Sequence, residues 1–245
     1  YPPLLPEDGV RPASATQLPW TGTLSDGTKS TNRCSDWTSA SSSLQGNVGG
    51  VPRMGAPKWT AYGDSNCDLS RQLYCFGVDY AVALPPPTPP AVHRKTFVST
   101  AIFAATGGRA AADAICQSEG ATTFGSGKTF LSLLATTTDS PGSRFSGTVP
   151  WVSTSGAVVA NDATKLNEPH FESGPNRTAQ NTILNTAFWS GATAINVAGT
   201  TASTCNNWSS TSGSGSSGDN STVGGFIASA TTPCGQSLPV VCLEQ

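Results

Sequence analysis

The pattern C-x-x-W…C-x-x-S-x-x-x-x-C occurs twice in this chain, from Cys34 to Cys75 and again from Cys205 to Cys242. A tryptophan precedes each copy in a matching phrase, Trp20-Thr-Gly and Trp189-Ser-Gly. An internal repeat constrains architecture more than any local propensity, because each copy must be able to form the same substructure. Whatever the chain folds into, it contains that substructure twice.

The cysteines set the chemistry of the fold. Seven of them lie in repeated spacings with only two histidines in the chain, so disulfides in an oxidising compartment are expected rather than a metal centre. The seven form an odd set, which leaves one for a bond to another chain or a free thiol. Three sequons, at Asn176, Asn207 and Asn220, are glycosylation candidates that agree with secretion. No apolar run approaches the ~18 residues of a membrane span. The opening YPPLLPEDG is unlike a signal peptide, so a processed or incomplete secreted product is expected.

Twenty-six glycines, eighteen prolines and abundant Ser and Thr predict a loop-rich fold built on strands. Charged residues make up 11% of the chain and the net charge is −2, so no basic field exists to draw in a nucleic acid. Residues 1–19 are Pro-rich without a period, and a turn is expected at Ser25-Asp26-Gly27. RQLYCFGVDY, from Arg71, is expected to be the terminal strand of the first copy. The run Leu84-Pro-Pro-Pro-Thr-Pro-Pro90 cannot enter a sheet interior, since proline lacks the amide donor, and marks a boundary. The resulting division is 1–80, a linker at 81–95, and 96–245.

Beyond the linker, Lys95–Phe103 has strand composition. Gly107–Gly120 is an alanine-rich helix with Cys116 near its end and Gly120 as the expected C-terminal cap. Lys128–Leu134 is a second strand, and Val149–Val152 with Ala157–Ala160 form a hairpin. Residues 167–188 have no period and read as a long loop.

In this order, GGRAAADAICQ, KTFLSLL, VPWV…GAVVAND, FWSG, CNNW and CGQSLPVVCLE resemble the endostatin-like branch of the C-type lectin-like family, in its bacterial secreted form. The resemblance implies an α+β, disulfide-bonded fold of loop-rich antiparallel sheets with one or two helices. It covers 96–245 fully, and residues 20–76 match only the C-terminal half of such a domain. It also implies the bridges Cys116–Cys242 and Cys205–Cys234, where the residues alone leave three pairings open. By analogy Cys34 pairs with Cys67, and Cys75 lacks the helix cysteine that would match it. Another protein chain, or a second copy, is then expected to complete the first domain, unless the sequence is cut from a longer tandem.

Sugar-binding relatives hold Ca²⁺ through an acidic loop triplet and a Trp-Asn-Asp triplet, because this hard cation takes several oxygen ligands. Here Glu168-Pro169-His170 departs at its third residue, and Asn206-Asn207-Trp208 has another order. No cofactor is expected, with Ca²⁺ as the remote exception. Gly125-Ser-Gly-Lys-Thr129 lacks the earlier glycine of a phosphate loop and reads as a turn entering a strand. His93 and His170 stand apart, and Asp113, Glu119 and Asp162 read as solvated acids, so no enzyme is visible. Arg33, Arg53, Arg71, Arg94 and Arg109 are too scattered for a heparin-type face. Trp37 and Trp208 are expected as core anchors beside disulfides, while Trp59, Glu168 and Asn207 are the candidate ligand surface, with the long loops Ser39–Trp59 and Thr211–Gly225. The expected function is a secreted structural or adhesive module, as in a surface filament. The alternative is a module binding glycans or extracellular matrix through those loops.

Overall fold

The structure, a computed structural model, describes residues 17–51, 56–76, 86–168, 171–222 and 226–245. The expectations for residues 1–16, Arg53, Pro169-His170 and the ends of the linker and of the second long loop lie outside these. The chain forms two compact units, Tyr1–Leu84 and Pro85–Gln245.

The second unit is α+β. Its strands are β3 (Arg94–Val98), β4 (Phe103–Ala104), β5 (Phe130–Ser132), β6 (Trp151–Ser153), β7 (Val158–Ala160), β8 (Ala187–Trp189), β9 (Ser214–Asp219), β10 (Ala230–Pro233), β11 (Ser237–Leu238) and β12 (Val241–Glu244). The main sheet runs β5-β12-β3-β6-β7, a second is β10-β9-β8, and β11 pairs with β4. The sheets are not wholly antiparallel as expected, because β3 and β6 run parallel. The near-terminal strand β12 is interior to the main sheet, between β5 and β3, with Cys242 opposite Phe97 of β3 and Ser132 of β5. Two apolar cores flank this sheet, one including Leu133, Trp151, Phe188 and Leu243 and the other Phe97, Cys116, Phe130, Trp189 and Trp208.

Lys95–Phe103 is two strands rather than one. The Glu119 carboxylate accepts from the amides of Thr100 and Ala101, and the Ser99 amide donates to the Val240 carbonyl, which turns the chain between β3 and β4. The 17-residue helix Gly108–Phe124 runs through Gly120 instead of stopping there. Its buried stripe is Ala112, Cys116 and Gly120, at the four-residue spacing of a single helix face. A Cβ on Gly120 would lie 2.2 Å from the Phe130 ring, so this glycine is a packing requirement and the cap falls to Gly125.

The three supposedly solvated acids are structural acceptors. Asp113 holds Arg144 by two hydrogen bonds of 2.8 and 2.7 Å and accepts from the amide and hydroxyl of Ser132, tying the helix to β5. Burial pushes the Asp113 carboxyl up, and these bonds outweigh it, leaving it below its ordinary value. Glu119 fixes the 99–102 turn, and Asp162 caps the short helix Ala163–Leu166 by accepting from the Lys165 amide. The linker is also shorter than expected, since β3 begins at Arg94 and the Pro87 carbonyl already lies against Gly156 of the β6–β7 turn.

The first unit has β1 (Gln45–Val48) paired with β2 (Gly63–Asn66), and short helical turns at Cys34–Trp37 and Ala56–Trp59 among the described residues. The expected terminal strand after Arg71 is not formed among the described residues. There, Leu73 makes one isolated bridge to Trp20.

Candidate interaction site

Each C-x-x-W motif folds into the same left-handed turn. The φ angles of Cys34, Ser35, Asp36 and Trp37 are 49, 53, 54 and 67°, and those of Cys205, Asn206, Asn207 and Trp208 are 49, 56, 52 and 65°. Left-handed backbone costs non-glycine residues roughly 1–2 kcal/mol each, so the turn must be held from outside. Three things hold it. The tryptophan amide donates four residues back, Trp37 to Arg33 and Trp208 to Thr204. The amides of Ser39 and Ser210 return to the cysteine carbonyls. The first cysteine of each motif is bonded across the loop, in Cys34–Cys67 and Cys205–Cys234.

Around the turn the two units continue to match. The amides of Trp20 and Trp189 donate to the carbonyls of Gln72 and Pro239, and those of Gly22 and Gly191 to Asn47 and Ser216. The paired indoles stand at 5.7 Å (Trp20–Trp37) and 5.6 Å (Trp189–Trp208). A Cβ on Gly22 or Gly191 would meet the Trp37 or Trp208 ring at 2.7 or 2.6 Å, which explains the glycine of the W-x-G phrase. Gly46 and Gly215 likewise lie under the tryptophan and the disulfide, a correspondence readable from the repeat had the two loops been aligned.

The environments are opposite. Trp208 is fully buried, its indole N–H donating 2.8 Å to the Ala135 carbonyl, with Phe103 packed on its ring at 5.9 Å. Trp37 is 48% exposed, against the expectation of a core anchor, because nothing among the described residues of the first unit corresponds to β4 or the segment after β5. The counterparts of Val240 and Leu243 are Leu73 and Phe76, exposed by 70% and 63%. Cys242 is fully buried and bonded to Cys116 of the long helix, whereas Cys75 is an exposed free thiol. Where the second unit has packed side chains, the first has an open cleft of about 420 Å³ lined by Trp20, Cys34, Trp37, Cys67 and Leu73.

The other candidates fall elsewhere. Trp59 is half-buried against Tyr74 and Phe76 instead of forming an exposed stacking face. The Tyr74 hydroxyl is buried without a partner among the described residues, and burial pushes its ionisation up to about 12. Glu168 pairs with Lys165 at 2.8 Å. The exposed Asn207 exchanges hydrogen bonds with the amide and hydroxyl of Thr137. The side chain of Asn220 is fully buried between the Thr186 amide and the Leu184 carbonyl, and Asn176 is buried against Asn185, so neither amide is presented for glycosylation in this fold. No three His, Cys, Asp or Glu residues among those described gather closely enough to hold a metal ion.

The fold and its bridges define a disulfide-rich α+β protein whose two units share the C-x-x-W turn, its bridge and a two-stranded hairpin. Comparison with protein-family models and with curated protein sequences gives no match.

Proposed function

We propose that the chain is an extracellular structural module of the C-type lectin-like, endostatin-like class. In this reading it is a subunit of a multi-chain assembly such as a surface filament. The supporting observation is the opposite burial of matched residues. Trp37, Leu73 and Phe76 are exposed and Cys75 is a free thiol, where their counterparts Trp208, Val240, Leu243 and Cys242 are buried. A grouped apolar surface of this kind marks an interaction site, and a polypeptide that completes the unit would cover it. Three disulfides are compatible with an oxidising, extracellular setting, and no helix among the described residues is long and apolar enough to cross a membrane.

Sedimentation of natively purified material tests this. The expected result is a particle heavier than the single 25.0 kDa chain, unchanged by a chelator or by free sugars. A monomer that binds a glycan or matrix-protein array saturably, and loses binding when the Ser39–Trp59 and Thr211–Gly225 loops are replaced, would transfer the assignment to a lectin-like module.

A further inference from the structure

Resting on that assembly reading, we propose that the polypeptide completing the first unit presents a cysteine-bearing helix with flanking strands, and that its cysteine is bonded to Cys75. The second unit shows the chemistry required. There the position equivalent to Cys75 is Cys242, bridged to Cys116 at a Cα separation of 5.3 Å. The helix carrying Cys116 approaches the sheet closely through Ala112 and Gly120, one turn to either side, and β4 sets Phe103 on the motif tryptophan. The first unit offers the matching half of each contact, with Cys75 and Leu73, the counterparts of Cys242 and Val240, for the helix and the cleft beside Trp37 for an aromatic side chain. The occupant therefore carries an aromatic residue on a short strand, followed by a helix in which small residues stand four before and four after a cysteine.

A second copy of this chain is a poor source of that helix. Each copy's own helix is locked to its own β12 by Cys116–Cys242, and lending it out would open one unit in order to close another. The helix is thus supplied by sequence outside these 245 residues. The lock forms by thiol–disulfide exchange. The Cys75 thiolate attacks a partner cysteine held as a mixed disulfide with the oxidising compartment's disulfide donor. The new S–S bond forms as the donor thiolate leaves with the electron pair of the old one.

The test uses the full chain and, as probe, a synthetic peptide of residues 94–136, whose single cysteine is Cys116, activated as a thionitrobenzoate mixed disulfide. Released thionitrobenzoate gives the exchange rate, and peptide mapping gives the site. Docking before exchange makes the reaction effectively intramolecular, so the peptide is expected to react at Cys75 at least about 10-fold faster than a scrambled peptide of the same composition. Leu73→Asp, on a side chain already in solvent, is expected to bring the two rates together. Equal rates with the unaltered chain would overturn the proposal, as would a Cys75–Cys75 dimer forming in preference. Sedimentation of the native material separates the two readings. A heavy particle with unselective exchange sinks the helix and leaves the assembly, whereas a native monomer with selective exchange does the reverse.

Discussion

The two motif tryptophans provide a matched experiment inside one chain. Trp208→Ala removes a fully buried indole that packs edge-on to Trp189 at 5.6 Å and against Phe103 at 5.9 Å. Truncating a buried Trp to Ala costs about 3–5 kcal/mol in lost transfer energy and residual cavity. The deletion also strips the Ala135 carbonyl of its 2.8 Å donor, and a buried acceptor left unsatisfied adds about 1–3 kcal/mol. A loss of about 4–8 kcal/mol is comparable with the whole stability of many domains. Trp37→Ala removes a side chain from the same backbone turn, but one that is half in solvent, and its cost should be about 2 kcal/mol or less. Urea titration followed by hydrogen-exchange mass spectrometry reports the two units separately. Trp208→Ala should shift the midpoint of the second unit severalfold more than Trp37→Ala shifts that of the first. Equal shifts would refute the argument, because the two side chains would then be equally enclosed in the isolated chain.

Two further outcomes follow from the long helix. Gly120→Ala should lower the melting temperature of the second unit, since the ~1 kcal/mol gained in helix propensity is outweighed by a Cβ placed 2.2 Å from Phe130; an unchanged or raised melting temperature would show that the ring can move aside. Because the Asp113 carboxyl sits below its ordinary value in the fold, it stabilises the folded state above the unfolded carboxylate range, near pH ~4. That contribution is lost as pH falls through the folded value, so the wild-type chain should lose stability on acidification more steeply than Asp113→Asn in a thermal-melt series from neutral to acid pH.

The local grammar of the repeat was readable, and its context was not. The C-x-x-W spacing, the W-x-G phrase and the proline run locate the two motifs and the boundary between the units, since each is a short-range constraint. The cysteine pairing followed from the family resemblance, as spacing alone left it open. Trp37 and Trp208 occupy identical places in that grammar, yet their burial differs because that of Trp208 depends on residues from Phe103 to Ala135, which have no counterpart among the described residues of the first unit. The same non-local dependence hid the roles of Gly120 and Asp113. A glycine late in an alanine-rich run looks like a cap until Phe130 is placed against it, and an acid in that run looks solvated until Arg144 arrives from a separate segment.

If the first unit lacks half its packing, its stability should depend on its bridge more heavily than that of the second unit does. Cys34 and Cys67 are 33 residues apart, for which chain-entropy arithmetic gives about 3.7 kcal/mol, and Cys205 and Cys234 are 29 apart, giving about 3.6 kcal/mol. The two deletions are therefore nearly equal in gross effect, and what differs is the reserve against which each acts. A core of fewer than ~70–80 residues rarely supplies more than about 3–5 kcal/mol. The second unit also has two apolar cores and the Cys116–Cys242 bridge across 126 residues. Replacing Cys34 and Cys67 by alanine should abolish amide protection throughout residues 17–76, whereas replacing Cys205 and Cys234 should lower the urea midpoint of the second unit and leave it folded. Persistent protection in the first unit without its bridge would mean that its half-core suffices alone. The exposure of Trp37, Leu73 and Phe76 would then have to be explained without a missing partner.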